Sequence, residues 1–229
     1  MTDPTAPEAV SVAVIDSGVN PDHPHIASVA GGARIGLDGS AGDDWVDRLG
    51  HGTAVFAAIQ EKAPAARIYA LRVFDGRLST SVRALVAAIE WAAEQRIHLV
   101  NLSLGTSAAG HREMLETAAE GLGDRGGIVV AAAESDGVLW LPGSLPTALG
   151  VIVDTELDRG DVYVTRVPGG HRVVAASPFP RPIPGVPPER NLNGVSFAVA
   201  NVTGTVAALV ETLGDRPGRE EILAALPQG

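Results

Sequence analysis

The chain has 229 residues, 45% hydrophobic and 19% charged, with a formal net charge of −10, a balance that fits a single globular domain over 1–229 with a sizeable core. It contains no cysteine, so disulfides and thiolate chemistry are excluded, and its acidity argues against a nucleic-acid partner, which would need a basic stripe. No apolar run reads as a membrane span, and the start Met1-Thr2-Asp3-Pro4 lacks the basic-then-apolar pattern of a secretory signal.

In chain order, residues 1–9 read as a disordered tail. The apolar run 10–15 then predicts a buried strand ending at Asp16. Asp22, His23 and His25 sit among prolines; as an extended segment would send His23 and His25 to opposite sides, they are poor metal ligands. Asp43, Asp44 and Asp47 are close enough together for calcium to be considered. Without a full set of oxygen ligands, a solvated loop is the better reading. A helix-like run over 53–60 opens at His51, and 66–74 reads as the next strand.

Residues 79–95 predict a helix capped by Ser79 or Thr80, with Val82, Leu85, Val86, Ile89 and Ala93 on one face. Trp91 falls off that stripe and is expected against a neighbouring loop. A strand over 98–104, a helix over 111–122 stopped by Gly123, and strands over 127–133 and 149–154 follow. The proline-rich stretch 178–188 reads as an ordered surface loop leading to a final helix over 196–209 that opens at Ser196. This alternation predicts a mainly parallel sheet with helices on both faces, an α/β fold of three layers. In such sheets the ligand site lies beyond the carboxyl ends of the strands. Asp16, Ser103-Leu104-Gly105 and Ala133-Glu134-Ser135 all fall there.

Three short segments then carry the chemistry: Ile15-Asp16-Ser17-Gly18, His51-Gly52-Thr53 and Gly194-Val195-Ser196-Phe197-Ala198. A neutral Ser hydroxyl attacks a carbonyl only when an imidazole takes its proton and a carboxylate orients that imidazole. Each residue also has a bland reading. Asp16 can cap a strand-end turn, His51 can be structural, and Ser196 can be a helix N-cap. Taken together, at a strand end and two helix starts, they predict an Asp16–His51–Ser196 triad. At the start of a helix, the Ser196 backbone N–H and the helix dipole would also face an oxyanion formed on the attacked carbonyl.

These segments, in the order Asp, His, Ser, resemble those of the subtilisin-like serine peptidases, whose order of catalytic residues is the known one for that family. Asn101-Leu102-Ser103-Leu104-Gly105 and Val129-Val130-Ala131-Ala132-Ala133 are similar to that family's two substrate-flanking segments, and the likeness runs from about residue 10 to 210. The resemblance implies the three-layer subtilisin-like fold and catalytic roles for Asp16, His51 and Ser196. It also implies substrate binding along Ser103, Leu104, Gly105, Ala133 and Glu134. Ser135 stands where the family has an Asn that donates to the oxyanion, so Ser135 is the candidate donor, with a shorter reach. Glu134 replaces a pocket-wall Gly. Its side chain either narrows the pocket and favours a basic residue or turns away into solvent. Many members bind calcium, but no clear calcium or other metal site is legible here, and no cofactor is expected.

The implied function is a serine endopeptidase acting through an acyl-enzyme on a peptide or protein substrate. With no room for a propeptide and no secretory signal, a cytoplasmic enzyme with a specialised peptide-maturation task is expected. The alternative is a catalytically weakened peptide-binding subunit, completed by a partner protease chain. Acyl transfer would use the same residues.

Overall fold

A computed structural model describes residues 9–167, 169–187, 190–214 and 216–229. Most of the expected tail and Pro188 of the proline-rich loop lie outside the described residues. The chain opens with β1 (Ser11–Asp16), β2 (Gly31–Ile35), β3 (Ala41–Gly42), α1 (His51–Lys62), β4 (Arg67–Arg72) and α2 (Val82–Glu94). β5 (Leu99–Leu102), α3 (Arg112–Gly123), β6 (Ile128–Ala132), β7 (Glu134–Ser135) and β8 (Val138–Leu139) follow. β9 (Leu149–Val153), β10 (Val162–Arg166), β11 (Arg172–Ala176), α4 (Val195–Leu213) and α5 (Arg219–Ala225) complete it.

Nine strands form one sheet in the order β10-β11-β9-β6-β5-β1-β4-β2-β3. β2, β4, β1, β5, β6, β9 and β11 run parallel to their neighbours in that order. The two edge strands, β3 and β10, are antiparallel. Side chains of β1 alternate as a pleated strand requires. Val12 and Val14 join Phe56, Ile59, Phe197 and Val202 under α1 and α4. Ala13 and Ile15 join Leu85, Ile89, Leu115 and Leu122 under α2 and α3. This makes the three layers that alternating elements predict, with β1 at the centre and buried at every residue.

From β1 the chain builds β2 and β4 on one side, then crosses to place β5 on the other. The crevice at the carboxyl ends of β1 and β5 is therefore the switch point where such sheets bind ligands. Asp16 ends one of these strands and Ser103 follows the other.

Several local expectations are corrected. The cap of α2 is Ser81, whose Oγ accepts from the Ala84 N–H at 3.0 Å, and neither Ser79 nor Thr80 fills that place. Trp91 packs edge-on against the Tyr69 ring of β4 at 6.1 Å instead of on a loop. Helix α3 continues through Gly123, because the Asp124 N–H still bonds the Glu120 carbonyl at 2.8 Å. The turn that follows places Gly126 at φ 76°. α4 has 19 residues and is long and apolar enough to cross a membrane by length and composition, contrary to the sequence reading, with 61% of it buried. It is apolar all round because it is wedged between α1 and the strands β5, β6, β9 and β11.

Candidate active site

Asp16 closes β1 and is wholly buried. Its Oδ1 accepts from the Ser17 N–H at 2.7 Å and lies 2.8 Å from His51 Nδ1. Its Oδ2 is buried with no hydrogen-bond partner among the described residues. A buried carboxylate with one bare oxygen is costly, so the contact with His51 is what offsets the burial of Asp16.

His51 is the first residue of α1, and its position is fixed by stitches between that helix start and the turn after β1. The Gly52 N–H donates to Ser17 Oγ at 2.8 Å. A Cβ at Gly52 would sit 2.3 Å from the Gly18 carbonyl oxygen, so only glycine allows the approach. Asn20 N–H donates to Thr53 Oγ1 at 3.0 Å. Asp47 supplies the acceptors that a helix start lacks. Its Oδ1 takes the Leu49 and Gly50 N–H groups at 2.8 and 2.9 Å, and its Oδ2 takes the Thr53 N–H and hydroxyl at 2.9 and 2.6 Å. The sequence reading of Asp47 as part of a solvated loop is thus overturned, since free helix-start donors are stronger partners for a carboxylate than water at a half-buried position. Asp44 pairs with Arg48 and Arg72.

Burial works against charge on the His51 imidazole, but the hydrogen bond to Asp16 and the charges of Asp16 and Asp47 outweigh it, so its pKa lies above the ordinary value of 6.5. Burial likewise opposes ionisation of Asp47. Its hydrogen bonds from Thr53, Leu49 and Gly50 win, holding that carboxyl below the usual range.

Ser196 is the second residue of α4, so it is not the N-cap. That place belongs to Gly194, at φ 145° and ψ 174°, a conformation in the glycine-favouring region. The Phe197 and Ala198 N–H groups bond the Gly194 carbonyl at 3.0 and 3.4 Å. Ser196 N–H precedes them in the first turn and has no partner among the described residues, leaving it available to an oxyanion. The Ser196 hydroxyl donates to the Ser103 carbonyl at 3.2 Å, and the Ser103 hydroxyl donates to the Ser196 carbonyl at 3.4 Å. The His51 ring lies beside the next residue, Phe197, with centroids 5.7 Å apart. The structure therefore forms the Asp16–His51 contact and gives the Ser196 hydroxyl a backbone partner in place of the imidazole.

A buried polar chain that the sequence reading missed supports this pairing. Thr203 Oγ1 of α4 shares its one proton between the Val199 carbonyl at 2.8 Å and Asn101 Oδ1 at 3.0 Å, and Asn101 Nδ2 donates to Ser103 Oγ at 3.0 Å. A fully buried Asn in an otherwise apolar strand was the available signal. Further along α4, Asn201 Nδ2 donates to the Ser177 and Phe179 carbonyls, both at 3.0 Å, and anchors the start of the proline-rich loop.

The two segments expected to flank substrate lie side by side. Thr106, just beyond Ser103-Leu104-Gly105, exchanges backbone hydrogen bonds with Leu141 at 3.0 and 2.9 Å, and Trp140 N–H bonds the Ala133 carbonyl at 2.9 Å. Between Ala133 and Trp140 the chain folds into the β7–β8 hairpin. Asp136 and Gly137 take φ values of 54° and 76°, as a tight two-residue turn requires. Glu134 Oε1 accepts from the Gly137 N–H at 2.9 Å. It caps its own hairpin, a third outcome beside the two that the sequence left open. Ser135 Oγ reaches Asp136 Oδ2 at 3.4 Å.

His23 and His25 do not diverge as expected of an extended segment. They lie in a turn, with ring centroids 5.1 Å apart, and His23 Nδ1 accepts from the His25 N–H at 3.2 Å. Among the described residues, no three His, Asp or Glu side chains are grouped to hold a metal ion.

Residues 8–149 match a family model described as the subtilase family. The match stops short of Ser196, but pairwise likeness continues through it. M-protease of Shouchella clausii (strain KSM-K16) is 32% identical over 221 residues, covering 88% of this chain and 54% of the relative. Subtilisin Savinase of Lederbergia lenta is 31% identical over 221 residues, covering 88% of this chain and 76% of the relative. Minor extracellular protease Epr of Bacillus subtilis (strain 168) is 33% identical over 137 residues, covering 56% of this chain and 20% of the relative. The chain thus spans about half or less of the length of M-protease and Epr. Among solved structures, the prenylagaramide maturation protease PagA superposes with a TM-score of 0.67 at 27% identity, covering 92% of this chain and 79% of that one. Sphericase superposes with a TM-score of 0.70 at 20% identity, covering 94% of this chain and 81% of that one, a likeness of fold.

Proposed function

The chain belongs to the subtilase family, and from that premise we propose that it is a serine endopeptidase in which Ser196 attacks the peptide carbonyl. His51 takes the Ser196 proton and returns it to the leaving amine, while Asp16 holds the imidazole tautomer and stabilises its charge. The observation that carries this reading is the 2.8 Å contact between buried Asp16 and His51 Nδ1, at a helix start beside the first turn of α4. The unpartnered Ser196 N–H supports a role for the backbone in stabilising the oxyanion. For the attack, the Ser196 side chain has to rotate to another staggered well and exchange the Ser103 carbonyl for the imidazole, and such hydrogen bonds commonly tighten only with substrate in place.

The substrate lies extended along Ser103-Leu104-Gly105, with Ala133 and Glu134 on the opposite wall, a mode that gives affinity through the backbone. The likeness to PagA, a maturation protease, supports a processing task over bulk digestion. The 3.2 Å bond that turns the Ser196 hydroxyl onto the Ser103 carbonyl favours a second reading, a peptide-binding chain that becomes active only beside a partner protease. A fluorophosphonate probe separates the two. Labelling of the isolated protein at Ser196, lost in Ser196→Ala, is expected for a self-sufficient peptidase. No labelling of the isolated protein, with labelling restored by material from its native context, is expected for the partner-dependent chain.

A further inference from the structure

A cleft of about 630 Å³ opens beside the start of α1, lined by Gly50, Thr53, Arg48, Asp47, His25 and Arg181 among others. None of its lining residues belongs to 103–106 or 133–141, the two segments read above as flanking the substrate. Because His51 returns a proton to the leaving amine, the leaving half must pass beside His51. Gly50, next to His51 in the chain, and Thr53, two residues on, both line this cleft.

The cleft presents two arginines, Arg48 and Arg181, in an acidic chain. Asp44 is shared by Arg48 at 2.7 Å and Arg72 at 3.2 Å. Arg72 also reaches Asp75 at 3.4 Å, and Arg34 already holds that carboxylate at 2.7 Å. Three guanidinium groups thus face two carboxylates. On the other wall Glu61 is shared by Arg159 and by Arg181, whose Nε lies 3.6 Å away. Counted by ion pairs alone, each network holds one more guanidinium than carboxylate. Asp47, the lining carboxylate, keeps its negative charge, with both oxygens occupied by the donors at the start of α1. Burial first, then the charges of Arg181 and His23, hold the His25 imidazole below its ordinary value against a smaller opposing effect of Glu61.

We propose that this cleft binds a carboxylate on the leaving side of the scissile bond, with Arg48 and Arg181 as its specificity-determining residues. The assignment rests on the serine endopeptidase reading above. Guanidinium groups suit this task because their planar fork matches a carboxylate. Arg48 is exposed, and Arg181 keeps about a third of its side chain exposed, so both can turn to a ligand. The carboxylate comes either from an Asp or Glu side chain or from a free peptide C-terminus.

The test uses two synthetic random peptide libraries, one ending in a free carboxylate and one in a carboxamide, digested by the full chain, with the products sequenced. Enrichment of Asp and Glu by roughly tenfold, about 1.4 kcal/mol, within about four positions after the cut in both libraries identifies a side-chain carboxylate. Cuts clustered near the end of the free-carboxylate library alone identify the terminal one. Either bias should weaken in 0.5 M salt, since these charges are partly exposed. Arg48→Gln and Arg181→Gln should each reduce it, and Arg48→Glu should shift it towards Lys and Arg. Cleavage without such a bias, or a bias that survives both Gln variants, overturns the cleft assignment and leaves proteolysis standing. Absence of both cleavage and fluorophosphonate labelling overturns the endopeptidase reading, and the cleft assignment falls with it.

Discussion

Around His51 the hydrogen bonds cross between elements. Ser17 and Asn20 after β1 bond to residues of α1, and Asp47 bonds into the same helix start. Around Ser135 they close on themselves. Glu134 bonds Gly137 and Ser135 reaches only Asp136, all within one hairpin. A residue that ties two elements together cannot change without moving both, so Asp16, Ser17, His51 and Gly52 match the family pattern. A hairpin that satisfies its own donors can be exchanged as a unit. By the resemblance read from the sequence, Glu134 and Ser135 stand there in place of a Gly and an Asn.

The most severe way to break the acid–base side is to remove its base. His51→Ala is expected to lower turnover by about 10⁴–10⁶, and the His51→Ala/Ser196→Ala double variant by no more, since residues acting as a unit are strongly non-additive. Parallel kcat measurements on one peptide substrate check this, and wild-type turnover in His51→Ala would refute the triad.

The hairpin side offers the opposite result, a gain. Ser135→Asn should raise kcat with little change in KM, by up to about 10²–10³, the known magnitude for the corresponding Asn donor of a subtilisin. A fall in kcat would show that another group already fills the role and that Asn displaces it.

Asp47 gives a smaller and more diagnostic effect. Because the His51 pKa is raised and the base must be neutral to act, kcat/KM should climb with pH through a midpoint above 6.5. Asp47→Asn removes one of the charges that raise it, so the midpoint should move down in a pH–rate profile. The same variant weakens the helix cap by about 1–2 kcal/mol, readable as a lower Tm. The stabilities linked to these groups run in opposite directions. That from His51 is complete below 6.5 and lost as pH rises through its raised folded value. That from Asp47 is present above the unfolded value near 3.8 and lost as pH falls through its lowered folded value.

The smallest expected effect lies in the chain of bonds behind Ser103. Thr203→Val keeps the shape, removes the donor to Asn101 and should cost about 1–2 kcal/mol in chemical denaturation. A loss of kcat beyond what stability explains would show that the buried Asn101 transmits position to Ser103 and Ser196.

Much of this molecule is legible in its residues. Largely apolar runs mark β1, β4, β5, β6 and β9, because strands buried on both faces carry little else. Strands at or next to the sheet edges escape that signal. β2 and β10 are only partly buried, so their patterns mix with those of loops. The Asp136-Gly137 pair is a strong turn signal in the sequence and forms the tight turn of the β7–β8 hairpin. Apolar spacing and the three short motifs by themselves determine the layers and the order of Asp16, His51 and Ser196, because burial period and helix-start chemistry are local properties. Only the tertiary structure decides that Asp47 caps α1, that Glu134 caps its own hairpin, that Ser196 rests on the Ser103 carbonyl, and that Arg48 and Arg181 share one cleft. Each of these depends on which donors and charges are left unsatisfied when segments distant in sequence or folded into turns come together, and no periodicity records that.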